Sequence, residues 1–308
     1  MTRILITGAG GTVGQALIGG LNGHDILATD LRPIENAPFA RLDVTTRDAM
    51  TVIGRFRPDV VVHLASIVTP PRGMSRETAF KVDVEGTLNV IEACAAHGVR
   101  RLVVTSSGAA YGYHADNPVP LREGDPLRGN AEFAYADHKR RVEAALAEAR
   151  SALPGLEQVV LRVGTVLGPG VENQITALFH KRAMLAVRGY DSPFVFIWTQ
   201  DLARVLVRAA TDGPAGIFNV AGDGAVSPAE LAVIMGKPLR ALPAWLLRAA
   251  LAVAHPIGLS RYGPEQVRFL QFRPVLDNTR LKSDFGIVPS YSSREAFVAW
   301  WQQARQGT

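Results

Sequence analysis

Through its first 165 residues the chain alternates short apolar runs with longer segments whose apolar positions recur at helical spacing. The runs are Ile4–Thr7, Asp25–Thr29, Val60–Leu64, Leu102–Thr105 and Val159–Val163. They are rich in Val, Ile and Leu, as expected of parallel strands covered on both faces. Between them the pattern predicts helices over Val13–Leu21, Arg47–Phe56, Ser75–His97 and Phe133–Ala149. This alternation predicts an α/β fold built on a doubly wound parallel sheet. After Gly168-Pro169-Gly170 the rhythm becomes irregular. The chain is expected to leave the sheet over 166–194, return through Phe194–Trp198 and Asp201–Ala210, and reach a last strand at Ile217–Val220. Residues 166–194 and 223–308 would then form a smaller, mostly helical lobe beside a sheet domain of 1–165, to which 195–222 return.

The first strand runs straight into a glycine-rich turn, Thr7-Gly-Ala-Gly-Gly-Thr-Val-Gly14, and then a helix. Glycines at Gly8, Gly11 and Gly14 let the backbone approach a pyrophosphate. Its charge would be met by the helix N-terminus, where Thr12 and Val13 stand. The second strand ends on Asp30, placed to hold ribose hydroxyls, with Leu31 and Arg32 beside it. Strand, turn, helix and an acid 22 residues beyond Gly8 together make a dinucleotide fingerprint. A carboxylate at Asp30 repels a 2′-phosphate and points to NAD, while Arg32, able to reach such a phosphate, is the opposing signal.

A second constellation points from binding to catalysis. Tyr135-Ala-Asp-His-Lys139 lies on a stretch of helix formers, Ala131 to Arg150. Tyr and Lys four apart share one helical face, so both can enter one site. The strand Arg101–Thr105 delivers Ser106 and Ser107 at its carboxyl end, where ligands of doubly wound sheets bind.

Composition narrows the field without adding chemistry. A 308-residue chain that is 47% hydrophobic and 20% charged is an ordinary globular protein. The net charge of +5 comes from dispersed arginines, with no basic run and no nucleic-acid motif, so no nucleic-acid partner is expected. The one cysteine, Cys94, cannot form an intrachain disulfide and fits a reducing, cytoplasmic compartment. It is read as a small buried apolar side chain. No signal peptide is read before the strand at Arg3. The apolar window Leu242 to Leu259 is broken by Pro243, Arg248, His255 and Pro256, and is too short to span a bilayer. The histidines lack metal-ligand spacing, so no metal is expected.

With these residues in place, the chain resembles the extended short-chain dehydrogenase/reductase family, in its NAD-dependent epimerase/dehydratase branch. The resemblance runs through Gly8–Gly14, Asp30, Leu42-Asp43-Val44, His63-Leu64-Ala65-Ser66 and Gly86-Thr87-Leu88-Asn89-Val90. It continues through Thr105-Ser106-Ser107, Tyr111-Gly112, Tyr135/Lys139, Leu161-Arg162, Gly168-Pro169-Gly170, Asp201-Leu202-Ala203 and Phe218-Asn219-Val220, and loosens beyond about residue 225. It implies a Rossmann domain holding NAD, with Asp43 and Val44 beside the adenine and Leu64, Ala65, Ser66 and Thr105 along the cofactor. It also implies hydride transfer at a secondary alcohol or its ketone. Tyr135 would be the general acid/base, Lys139 would favour its phenolate and bind the nicotinamide ribose, and Ser107 would hold the substrate oxygen. Ser107 is preferred to Ser106 because it lies four residues before Tyr111-Gly112. Gly108, His114 and Thr165 are further candidates for substrate contact. The helices Ser75–His97 and Phe133–Ala149 would pair across a two-fold axis into a homodimer. His63 would contribute backbone contacts. His138, about a hundred degrees from Lys139 around the helix, reads as a surface or interface residue.

Four departures qualify the resemblance. Gly108-Ala109 replaces the acidic pair that dehydratases use, so dehydration is not expected. Asp83 stands where an asparagine is usual, which puts the proton relay in doubt. Pro193 and Phe194 lie where nucleotide-sugar enzymes carry a diphosphate-binding arginine, and Trp198 where a histidine is common. Ala244–Ala254 is apolar and reads as lobe packing, or alternatively as the wall of a greasy pocket or a membrane contact. Three functions therefore stay open: a sugar or sugar-nucleotide epimerase, a dehydrogenase/reductase of an apolar alcohol or ketone, and a non-catalytic NAD sensor.

Overall fold

A computed structural model describes residues 1–71, 73–260 and 262–306. One seven-stranded sheet holds β1 (Arg3–Thr7), β2 (Asp25–Asp30), β3 (Phe39–Arg41), β4 (Val60–His63), β5 (Arg101–Ser107), β6 (Glu157–Val163) and the late strand Gly216–Val220. From one edge the order is Gly216–Val220, β6, β5, β4, β1, β2, β3, and every pairing is parallel. The order reverses beside β1, which opens a crevice at the carboxyl ends of β1 and β4.

Five helices matter for that crevice: α1 (Thr12–Gly20), α2 (Asp48–Phe56), α3 (Arg76–Phe80), α4 (Gly86–Ala96) and α5 (Ala134–Ala152). Side chains alternate across the strands, so Ile4 and Ile6 join a core with Leu17 of α1 and Leu202, Val205 and Leu206 of the helix Thr199–Ala210. Leu5 points the other way, into a second core with Ile53 of α2, Val90 of α4 and Val142 and Leu146 of α5. Burial on both faces is why the strands read as unbroken apolar runs.

The later chain builds a third core from Phe179, Phe194, Phe196, Trp198, Phe297 and Trp300. Two small parallel ribbons brace it, Thr165–Leu167 with Phe196–Trp198 and Met184–Val187 with Leu239–Leu242. The helix Pro228–Met235 starts where Ser227 and Glu230 form a reciprocal capping box ahead of Pro228.

Two expectations need correction. The helix expected over Ser75–His97 is three pieces: α3, a π-helical turn Lys81–Glu85, and α4. The apolar helix Ala244–Ala254 buries only Leu247, leaving Trp245 69% and Val253 66% exposed, so most of it does not pack the lobe. Among the described residues no helix is long and apolar enough to cross a membrane.

Candidate active site

The nucleotide end of the crevice is shaped by close backbone approach. Gly8 has φ +68°, and a Cβ there would stand 2.6 Å from the Ala65 nitrogen, so the glycine turn lies directly on the loop after β4. A Cβ on Gly14 would meet the Ala9 carbonyl oxygen at 2.6 Å. No side chain caps Gly11, and Gly11 and Thr12 are exposed, so the first amides of α1, those of Thr12 and Val13, are available to an anion. Asp30 accepts the Gly10 amide at 2.9 Å on one oxygen and the Leu31 amide at 2.7 Å on the other. Its carboxylate is thus fixed at the end of β2 with lone pairs left for two hydroxyls. Leu31 and Arg32 are exposed beside it. Asp43 accepts the Thr45 amide and hydroxyl on one oxygen, and the Val44 carbonyl takes the Asn89 side chain at 2.8 Å. Leu64 continues β4 through a bond from its amide to Thr7. An uncapped helix start, a pre-aimed carboxylate and a glycine turn without side chains fit a dinucleotide.

At the catalytic end, β5 sorts its two serines. Ser106 is buried and donates to Glu143 at 2.5 Å, whereas Thr105 and Ser107 on the opposite face are half-buried. Ser107 lies close enough to the Tyr135 phenol to favour its ionised form. Lys139 Nζ lies 5.6 Å from the centre of the Tyr135 ring and donates to the Thr105 carbonyl at 2.9 Å. Burial pushes the Tyr135 phenol up to about 12; Ser107 offsets part of this and Asp83 adds to it. Burial also lowers Lys139, while the Asp83 and Glu143 charges hold it up. Beneath the site Glu143 is clamped by Arg162, whose Nη2 lies 2.7 Å away. Arg162 Nη1 reaches the Tyr111 hydroxyl at 2.8 Å and the Glu123 carbonyl at 2.9 Å.

The histidines correct the sequence reading. His138 is not at the surface: it is 1% exposed, and its Nδ1 lies 2.9 Å from Asp83. Ser66 donates its hydroxyl to Asp83 at 2.9 Å, as does the Ile67 amide at 2.7 Å. His63 works through its side chain as well, with Nδ1 2.7 Å from Thr7 Oγ1 and Nε2 3.1 Å from Thr87 Oγ1. Burial first, and then the Lys139 charge, lower its pKa to about 3, so this histidine is neutral. Helical spacing placed His138 away from Lys139 but carried no trace of Asp83, 55 residues earlier. The unusual acid at position 83 was the available signal. Cys94 is fully buried, and burial pushes its thiol up to about 12.

Of the expected substrate contacts, Gly108 is buried against Leu276, His114 holds the Arg128 carbonyl at 2.7 Å, and Thr165 is half-buried in its short ribbon. Next to Tyr135 stands a wall missed in the sequence. Tyr113 meets Phe133 and Phe269 edge-on at 4.8 and 5.4 Å, and Phe272 packs beside them. Behind the wall is Arg273, sandwiched with its guanidinium 3.7 Å from the Phe194 centre and 4.8 Å from that of Phe269. It donates to the Ser192 carbonyl, and burial lowers its pKa to about 9. No carboxylate pairs with it among the described residues.

Sheet order, glycine cradle and Asp30 define a dinucleotide-binding α/β protein. More specifically, residues 4–221 match the NAD dependent epimerase/dehydratase family, and the chain belongs to it. The family is NAD-dependent, and its cofactor suits the cradle described above. A 3-diazoavenalumate denitrifying reductase of Streptomyces is 31% identical over 268 residues, 81% of this chain and 86% of that protein. An uncharacterized Mycobacterium tuberculosis protein is 26% identical over 271 residues, 87% of this chain and 71% of the relative. Among solved structures, the Thermus thermophilus UDP-glucose 4-epimerase complexed with NAD has a TM-score of 0.75 at 23% identity, covering 99% of this chain and all of that one. An Agrobacterium tumefaciens short-chain dehydrogenase/reductase superfamily protein with bound NAD has a TM-score of 0.76 at 21% identity, covering 99% and 98%.

Proposed function

We propose that the protein moves a hydride between NAD and a secondary alcohol or its ketone. The observation that carries this reading is the meeting of Ser107, Tyr135 and Lys139 at the carboxyl end of β5, next to the nucleotide cradle. NAD, when bound, supplies the hydride acceptor or donor. Tyr135 gives its phenolic proton to the carbonyl oxygen during reduction and takes it back during oxidation. Ser107 donates to the same oxygen and stabilises charge developing there. Lys139 holds the nicotinamide ribose and favours the phenolate. The packing of these three groups speaks against a sensor without turnover.

For the substrate we infer a flat, largely apolar molecule that is oxidised or reduced outright. The wall of Tyr113, Phe133, Phe269 and Phe272 supports this, and so does the apolar Phe194 beside Arg273. The Streptomyces relative, named as a reductase, points the same way. Epimerisation of a sugar nucleotide is the second reading, favoured by the fold shared with the UDP-glucose epimerase. Purification without added cofactor, dialysis, denaturation and quantification of released NAD(H) separates them. Empty protein that binds NAD reversibly supports net redox; near one equivalent per chain refutes it in favour of epimerisation. A homodimer through α4 and α5, in a reducing cytoplasm, completes the reading; light scattering at the monomer mass of 33.1 kDa would refute the dimer.

A further inference from the structure

The helix Ala244–Ala254 is apolar on both faces. Its inner residues Ala244, Leu247 and Leu251 pack with Val187 and with Val267 and Leu270 of the neighbouring helix Gln266–Gln271. Its outer face carries Trp245, Ala249, Ala252 and Val253 at i, i+4, i+7 and i+8, one helical stripe, and all four are exposed. Leu246 stands beside the stripe, and Ile257 and Leu259 extend the patch past the helix end, 62% and 81% exposed. The helix holds one polar side chain, Arg248, whose guanidinium donates to Gln271 at 3.0 Å. A contiguous apolar patch rimmed by polar groups marks an interaction surface, whereas single exposed apolar residues do not.

Charge decides what this surface meets. From Leu231 to Pro264 the sequence has Lys237, Arg240, Arg248 and Arg261, and neither Asp nor Glu. Arg240 is exposed on the strand Leu239–Leu242 that leads into the helix. Neither Arg240 nor Arg248 pairs with a carboxylate among the described residues. A second copy seated here by a two-fold would set these cations against their own mates, with no acid from this stretch between them. A protein partner would find one polar side chain on the helix, whereas protein interfaces carry a hydrogen bond about every 100–200 Å². An anionic lipid surface suits both halves: acyl chains take the apolar stripe and headgroup phosphates take the cations. Trp245, in the first turn, is the residue type that settles at the boundary between the two. The helix Gln266–Gln271 joins this surface to the cleft. Its Val267 and Leu270 pack with Leu247, while its Phe269 meets Tyr113 in the aromatic wall.

We propose that the helix Ala244–Ala254, with the turn to Leu259, docks the protein on an anionic lipid bilayer, lying among the headgroups without crossing the membrane. The cleft then stands one helix away from the lipid. This docking is independent of the hydride-transfer reading, and its test needs no substrate. The 308-residue protein is floated with vesicles of phosphatidylcholine alone, or of equal parts phosphatidylcholine and phosphatidylglycerol. Trp198, Trp300 and Trp301 are buried and Trp245 is 69% exposed, so a change in emission on adding vesicles reports Trp245. The mixed vesicles should bind the protein and shift that emission to the blue, lipids brominated in their acyl chains should quench it, and added salt should weaken binding. Arg240→Glu should weaken binding about tenfold. The double variant Trp245→Asp/Val253→Asp should weaken it about a hundredfold or more. Both of those side chains are exposed, so NAD affinity and thermal unfolding should stay at wild-type values. No flotation with the mixed vesicles, or equal flotation with both kinds, would overturn the proposal. So would bound protein whose Trp245 escapes quenching, or a double variant that binds like wild type. Wild type that ignores vesicles, and whose mass in light scattering halves in the double variant, would assign this face to a second copy instead.

Discussion

Replacing Glu143 by glutamine should be among the most damaging single changes outside the reacting groups. The carboxylate takes two bonds from Arg162 Nε at 3.0 and 2.9 Å, one from Nη2 at 2.7 Å and one from Ser106 at 2.5 Å. Both partners of the ion pair have side chains 4% exposed. Glutamine keeps the volume but leaves a guanidinium buried without its counter-ion, and removing one partner of a buried pair costs about 3–5 kcal/mol. At roughly 2 °C per kcal/mol for a chain of this size, the melting temperature should fall by about 6–10 °C. Urea unfolding should give the same loss with an unchanged m-value. Arg162→Met should cost at least as much, because Tyr111 and the Glu123 carbonyl lose a donor too. The double variant Glu143→Leu/Arg162→Met buries no charge, so its cost should fall short of the summed single costs by about 2 kcal/mol or more. A loss below about 1 kcal/mol for Glu143→Gln, or strict additivity in the cycle, would refute the view that this pair braces β5, β6 and α5.

Other expectations are simpler to check. Tyr135→Phe should lower turnover by about 10²–10⁴-fold in both directions while calorimetry finds NAD affinity little changed. Because burial raises the phenol, alcohol oxidation by the unaltered enzyme should climb with pH between about 6 and 9, whereas ketone reduction, which uses the protonated form, should stay level. Gly14→Ala would put a methyl 2.6 Å from the Ala9 carbonyl oxygen and should cost about 1–3 kcal/mol in chemical unfolding, together with NAD affinity. Asp30→Ala removes the acceptor at the ribose and the charge that repels a 2′-phosphate, so the ratio of NADP to NAD affinity should rise in fluorescence titrations.

Much of this architecture was legible because parallel strands covered on both faces leave an apolar trace, as Val60-Val61-Val62 does in β4. The trio was legible because Tyr135 and Lys139 obey helical spacing and Ser107 ends a strand. What escaped reading depends on pairings distant in sequence. The half-exposed edge strand β3 is three residues long, and Met184–Val187 finds its partner only at Leu239–Leu242. His138 looked peripheral because a helical wheel says which way a side chain leaves its axis, not what waits there. Its partner comes from a π turn, where the assumed 3.6-residue period fails. The helix Ala244–Ala254 misled in the opposite sense: hydrophobic composition suggested burial, yet only Leu247 is buried, with Ala244 and Leu251 partly covered beside it.

The two serines of β5 carry one more implication. Ser106 and Ser107 are chemically identical neighbours on a strand whose faces alternate at every residue. A slip of β5 by a single position would bring Thr105 or Ser107 to the place that Ser106 holds against Glu143, and Ser106 or Gly108 to the place of Ser107. Glu143 would find a hydroxyl in either misalignment, so the serines cannot set the register that separates them; that falls to the apolar residues before them, Val103 in one core and Leu102 and Val104 in the other, which a slip would turn to the wrong faces.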